Sequence, residues 1–313
     1  MKKIIPFIIV LLFTLTTGCH RQQVDAEQHR QDSLRLDSQM LKIGYLPTLE
    51  SLPLLIAQQQ HYLDSSKIKL IRFEAGMDLD TALLNNRVQC ITSDLCRTML
   101  MNSKDSTIKS IGNTQNIYKL ITAQKQRIRK PKDLAERMIA IARNEISDYL
   151  LDAMLKHEQL DPALVNRPQI NALSLRRQML LFEELDAALL PEPFATECLV
   201  NGDRCLMTNI DIDSFISCLT INKQASENYA EQVKMTVQAY NEAVDYLQNN
   251  KPDLLSFYEL SKEVADTLEV PHYDKLSLPR EKDIENVTQW LQERNLISGK
   301  KKTTCIEERF LNK

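Results

Sequence analysis

The sequence predicts an α/β protein of two lobes, with mixed, mostly parallel sheets and C-terminal helices packed on them. Three observations carry this. Short apolar strands alternate with amphipathic helices from residue 41 to about residue 190. A polar, basic break at residues 124–130 splits that alternation into two runs, and the last third shows helical periodicity alone. The expected boundaries are 40–122 for the first part of lobe 1 and 123–208 for lobe 2. Residues 209–313 then return to lobe 1 and supply the C-terminal helices.

The chain opens on a targeting segment. Lys2 and Lys3 precede an apolar run from Ile4 to Leu15, too short to span a bilayer and suited to a secretory signal. The run ends at Thr16-Thr17-Gly18-Cys19, and small residues before a cysteine resemble the bacterial lipobox. That resemblance implies removal of residues 1–18 and acylation of Cys19, palmitate included. Residues 19–39 are then the lipidated cysteine and a polar tether without hydrophobic periodicity.

Beyond the tether, 41–46 alternates as a strand stopped by Pro47, and 52–60 reads as a helix with Ser51 as N-cap. Strands follow at 68–73, 88–92, 108–112 and 118–123, with helices at 78–84 and 94–101. After the break, 131–134 is a helical turn, 138–142 a strand, and 147–157 a helix capped by Ser147. A strand at 169–173, a helix at 175–184 and a strand at 186–190 run into Pro191-Glu192-Pro193. Val233, Val237, Tyr240, Val244 and Leu247 fall on one face of a long helix. Pro252 begins another, and Ile284, Val287 and Leu291 line a third.

Composition narrows the function. The 39 basic and 42 acidic side chains give a net charge of −3, against the basic field that nucleic-acid binding needs. Six glycines include no phosphate-loop motif. The five histidines have no metal-ligand spacing, and no nucleophile elbow is present, so no metal, cofactor or catalytic residue is expected. Of the six cysteines after Cys19, the turn at Asn201-Gly202-Asp203 makes Cys198 and Cys205 the pair best placed for a disulfide. Free buried thiols are the favoured reading of all six.

From Met40 to about Ala265 the chain resembles the type II periplasmic solute-binding proteins of ABC importers, in the nitrate, sulfonate, taurine and thiamine-pyrimidine-precursor branch. Ile43-Gly-Tyr-Leu-Pro47 with Leu52-Pro-Leu-Leu-Ile-Ala57 matches the opening strand, ligand loop and helix of that family. Phe73-Glu-Ala-Gly-Met-Asp78 and Ile91-Thr-Ser-Asp94 follow its next units. Lys130-Pro-Lys-Asp-Leu134, Ser147-Asp-Tyr-Leu150 and Asp186-Ala-Ala-Leu-Leu-Pro-Glu-Pro-Phe-Ala-Thr196 carry its second lobe. His61-Tyr62, Asn86-Arg87 and Gln89 depart from the family pattern and bear on the ligand. The resemblance implies a two-lobed binding-protein fold with a hinge, a small-molecule ligand, an ABC permease as partner, and a monomer held in the periplasm by its lipid.

Ligands of open α/β sheets sit at the carboxyl ends of strands, beside unpaired helix N-termini. The candidates there are Tyr45 for stacking, Gly76 for close approach, Thr92, Ser93 and Asp94 for polar contacts, and Asn144, Ser147 and Glu192 from the second lobe. Five have a structural alternative: packing for Tyr45, helix capping for Asp94 and Ser147, and turn geometry for Gly76 and Glu192. Carboxylates outnumber arginines in these loops, which tilts the ligand toward a neutral or amine-bearing heterocycle and away from an anion. The competing functions are an enzyme on the same fold, similar to thiamine-pyrimidine synthases or menaquinone-pathway dehydratases, and a ligand-sensing lipoprotein.

Overall fold

A computed structural model describes residues 37, 39–298 and 305–311; the predicted signal and Cys19 lie outside them. Leu41–Lys313 forms one compact unit. In it Leu41–Tyr45 (β1), Leu52–Gln59 (α1), Ile68–Arg72 (β2), Gly76–Leu84 (α2), Cys90–Asp94 (β3), Leu95–Lys104 (α3) and Lys109–Asn113 (β4) follow in order. Tyr118–Thr122 (β5), Ile139–Ala140 (β6), Ile146–His157 (α4), Leu173–Leu181 (α5), Ala187–Pro191 (β7), Phe194–Val200 (α6) and Arg204–Thr208 (β8) come next. Ser217–Ile221 (β9), Lys223–Asn228 (α7), Ala230–Asn249 (α8), Lys262–Thr267 (α9) and Glu281–Glu293 (α10) complete the fold. None of the described helices is long and apolar enough to cross a membrane.

The first sheet has the order β2-β1-β3-β9-β4 and the second β6-β7-β5-β8. The class is α/β with mixed sheets, as expected, but the antiparallel share is larger than the alternation implies. Among the described strands β1–β2, β1–β3 and β6–β7 pair in parallel; β9 and β5 run against both of their neighbours. Periodicity shows that a segment is a strand, and the partner's direction comes from tertiary pairing. For the same reason β5, expected at the end of lobe 1, belongs to the second sheet, between β7 and β8.

The chain therefore crosses between sheets at 114–117 and again at 209–216, and the two crossings are bonded to each other. Thr114 N donates to Ser217 O at 3.0 Å, Tyr118 N to Asn209 Oδ1 at 2.9 Å, and Asn209 Nδ2 to Asn116 O at 3.3 Å.

The pleat of β1 explains how its sheet is covered. Leu41 and Ile43 enter an apolar cluster with α1 and with Val233, Val237, Tyr240 and Val244 of α8. Gly44 faces the other way, where a Cβ would come within 2.6 Å of Leu79 Cδ2, so α2 packs at glycine distance. Two further clusters draw on both sheets: Ile91 shares one with Ala188 and Leu190, and Leu95 and Cys218 share the other with Leu120 and Leu189.

Two expected elements differ, and the cysteines follow the favoured free-thiol reading. Residues 169–173 make only isolated bridges, Ile141 to Gln169 and Ala75 to Ala172, before α5 begins at Leu173. The Ile170 carbonyl is taken by the Arg176 guanidinium and not by a strand neighbour. The helix expected from Pro252 is a short 3-10 turn, Leu254–Ser256. Tyr258 donates there to the Thr48 carbonyl, and Ser261 caps a separate helix, α9. Cys198 and Cys205 are unbridged, and the six described cysteines are free thiols.

The last helix, α10, packs on α3, and a partly buried ionic network ties it to α4. Trp290 Nε1 donates to Asp152 Oδ2 at 2.8 Å, and Arg294 reaches Asp148 and Asp152, each at 2.7 Å. Trp290 also meets Tyr149 edge-on at 5.6 Å. Trp290→Phe removes one buried hydrogen bond and keeps an aromatic ring in place of the indole, so urea unfolding is expected to show a loss of about 1–2 kcal/mol. Trp290→Ala removes the packing as well and is expected to cost about 3–5 kcal/mol.

Candidate functional site

Four loops at strand ends converge on one place. The extended backbone of β3 delivers Thr92, Ser93 and Asp94 to its carboxyl end, and all three are buried. Asp94 caps α3, accepting from Arg97 N at 3.0 Å. Its second oxygen, Oδ2, has no hydrogen-bond partner; Arg97 Nη1 stands 3.8 Å away. Glu50, in the 3-10 turn Leu49–Ser51, accepts from Thr114 Oγ1 at 2.7 Å. Gly76 opens α2, and a Cβ there would lie 2.7 Å from Arg97 Nη1 and 3.0 Å from Glu145 Oε2. Glu145 comes from the second half of the chain, so the site joins groups from both sheets.

These residues surround an enclosed chamber of about 10 Å³, lined by Glu50, Gly76, Asp94, Arg97, Tyr118 and Glu145 among others. An outer cavity of about 410 Å³ shares Arg97, Glu145 and Asn171 with it. Its remaining wall includes Met77, Leu84, Leu100, Met101 and Asn144.

The two arginines are engaged by the protein itself. Arg97 holds Asp80 through Nε at 3.0 Å and Nη2 at 2.6 Å. Arg176, fully buried, donates to the carbonyls of Ile170 and Leu189, with Glu145 Oε1 at 3.6 Å from Nη2. Burial raises the Glu50 carboxyl to about 8, against the opposing pull of Thr114 and Arg97. Burial likewise raises Asp94 to about 7, with Arg97 opposing and Glu145 adding repulsion.

The predicted residues divide into three groups. Gly76, Thr92, Ser93 and Asp94 line the inner chamber and Asn144 the outer cavity. Ser147 lies beneath the loop: Glu145, not Ser147, holds the N-cap position of α4. Ser147 Oγ accepts from Ala142 N and donates to Glu145 Oε1, both at 2.9 Å, which ties down the 142–145 turn. Tyr45 and Glu192 are outside both cavities. Tyr45 packs on the first apolar cluster, on the same face of β1 as Ile43. The Glu192 carboxylate is satisfied by Lys119 Nζ and Thr196 N, so it is a structural clamp.

Glu50, Glu145 and Arg97 enter the sequence reading as charges of the cleft loops and not as ligand contacts, and Arg176 does not enter it. Glu50 and Glu145 stand in strand-to-helix loops, which is a usable signal. Arg97 and Arg176 sit inside helices and carry none.

The raised carboxyl of Glu50 predicts a pH effect. Below pH 4.5 both folded and unfolded chains hold its proton; between 4.5 and about 8 only the folded chain does, so stability falls as pH rises. Glu50→Gln keeps the acceptor for Thr114 and removes the charge. It is expected to leave the thermal midpoint unchanged in acid and to stabilise on the order of 3 kcal/mol at pH 8. Destabilisation at pH 8 would show that the charge is not buried at a net cost.

Among solved structures, the fold is similar to the alkanesulfonate-binding protein SsuA from Xanthomonas axonopodis pv. citri bound to MOPS. The TM-score is 0.72 at 15% identity, covering 83% of this chain and 95% of that one. The periplasmic aliphatic sulphonate binding protein SsuA from Escherichia coli gives 0.68 at 15% identity, covering 88% and 94%. The periplasmic nitrate-binding protein NrtA from Synechocystis PCC 6803 gives 0.69 at 10% identity, covering 85% and 84%. These likenesses show the periplasmic-binding-protein fold. No curated protein matches the chain. The sequence pattern described as NMT1/THI5 like matches residues 48–253, well over half of the chain, and the chain belongs to that family.

Proposed function

We propose that this protein captures a small molecule between two lobes and delivers it to an ABC importer permease. One lobe is built on each sheet, and the bonded crossings at 114–117 and 209–216 form the hinge. The observation that carries the reading is the convergence of Glu50, Asp94 and Arg97 from one sheet's loops with Glu145 from the other's on one chamber. Hinge closure over a solute is the motion such an arrangement serves. Gly76, Thr92, Ser93, Asp94 and Asn144 contact the ligand in this reading, and Glu50 and Glu145 set its charge preference toward a neutral or amine-bearing heterocycle. The protein acts as a monomeric binder without catalysis, its body in the periplasm and its Cys19 lipid in a cell-envelope membrane.

Ligand recovery tests the binding step. Solute released by denaturing the purified protein is expected chemically unchanged, and a chemically altered product would make the protein an enzyme. At 100 times its dissociation constant the solute is expected to raise the thermal midpoint by about 5 °C. Gly76→Val fills the space against Arg97 and Glu145 and is expected to weaken binding roughly tenfold or more. Cys19→Ala is expected to abolish fatty-acid labelling and membrane recovery; a lipid that survives this change would sink the anchor.

A further inference from the structure

Two helical segments beside the inner chamber, one from each half of the chain, start without a side-chain cap. Ala172 precedes Leu173–Leu181 (α5) and has no capping group; Thr48 precedes the 3-10 turn Leu49–Ser51, and its hydroxyl makes no hydrogen bond. The first N–H groups of a helix have no partner inside it and need one outside. Here that partner comes from the other half. Leu49 N donates to Glu192 O at 3.0 Å, and Leu173 N donates to Glu74 O at 3.4 Å. Leu49 and Glu74 stand in loops of the first sheet, after β1 and β2; Glu192 follows β7 of the second, on which α5 packs.

The arrangement is reciprocal, and both ends are held in place for it. Beside the second bond, Ala75 and Ala172 form an antiparallel bridge, and Asn171 Nδ2 reaches Met77 Sδ at 3.8 Å. Beside the first, Tyr258 and Tyr273 hold the carbonyls of Thr48 and Leu49 from the C-terminal third. Glu192 is fixed from its own side: its carboxylate takes Lys119 Nζ and Thr196 N, and its amide donates to Ile117 O at 3.2 Å. That clamp aims the Glu192 carbonyl at Leu49. Leu46 and Glu50 on one side and Leu173 on the other line the chamber of about 10 Å³, which holds one water-sized group. No organic solute enters it while both bonds stand.

We infer that the two lobes cap each other's helical turns, and that this paired capping is the latch of the inner chamber. Closing satisfies the Leu49 and Leu173 N–H groups together, and opening releases both to water. The two bonds break in one step because each joins the same two bodies. This rests on the solute-binding reading above only for what the opening admits, and it adds which bonds set the balance between closed and open forms. An apolar cluster shared by the two sheets favours the same closed form, so the caps bias that balance and do not hold it alone.

Hydrogen exchange of the two amides on the full chain tests it. Leu49 and Leu173 are expected to share one protection factor and to lose it in parallel as urea is added. Leu173→Pro deletes one donor, and proline suits the position: it is the first of α5, and Ala172 before it is extended at φ −74°, ψ 124°. Leu173→Ala loses the same apolar side chain but keeps the N–H, so it is the control. Leu173→Pro is expected to speed exchange at Leu49, on the other lobe, roughly threefold to tenfold over Leu173→Ala. Leu49→Pro against Leu49→Ala gives the reciprocal measurement at Leu173, with Thr48 likewise extended. Amides that exchange independently in the unchanged protein, or a Leu49 amide indifferent to Leu173→Pro, overturn the inference. The first of these needs no variant, so a substitution that fails to fold does not shelter it. The binding reading fails differently: paired opening with no solute recovered from denatured protein removes the cargo and keeps the latch, and a recovered solute with independent amides does the reverse.

Discussion

Burying Glu50, Asp94 and Glu145 around one chamber is unfavourable in itself, because each carboxylate loses its hydration. Much of the surrounding structure contains that cost. Asp94 spends one oxygen on the first turn of α3, Glu50 accepts from Thr114 on the crossing segment, and Glu145 accepts from Ser147. Arg97 lies between Asp80 and the chamber, so its field reaches Asp94 while its hydrogen bonds go elsewhere. The result is a site whose charges are structurally held.

The supports of this site reach far along the chain. Asp148, in the first turn of α4, accepts from the Asn144 backbone N–H with Oδ2 and binds the side chains of Arg167 and Arg294. Arg294 follows α10 directly, so the last helix bears on the outer cavity's wall through one carboxylate. On the opposite side, Tyr258 and Tyr273 donate to the carbonyls of Thr48 and Leu49, beside Glu50. Both tyrosines lie well after the two sheets are complete. The last third thus braces two loops that line the cavities and closes the core, and among the described residues it adds single bridges to β4 at Ser277 and Ile306.

How much of this was legible depended on the range of the interaction. The strand at 41–45 and the long helix bearing Val233, Val237, Tyr240 and Val244 were readable because periodicity is local and survives any tertiary arrangement. Gly76, Thr92, Ser93 and Asp94 were placed by the rule that strand ends meet helix starts. Tyr45 and Glu192 stand outside both cavities because a side chain's partners are decided across space: Ile43's cluster claims one and Lys119 the other. Ser147 bonds the loop before its own helix, which sequence alone reads as capping.

What the sequence by itself determined is the α/β class, the order of most elements, the helical last third and the acidic character of the loops. These follow from hydrophobic period, turn residues and charge, all of which act within a few residues. Only the tertiary structure decided that β5 and β9 run antiparallel to their neighbours, that the crossings fall at 114–117 and 209–216, and that Arg176 and two nitrogens of Arg97 are held by the protein itself. Those depend on pairings between residues far apart in sequence. Arg176 with Leu189 and Arg97 with Asp80 become neighbours only when the sheets and helices have packed. Charge composition therefore shows that acids are in excess, and packing shows how each is held.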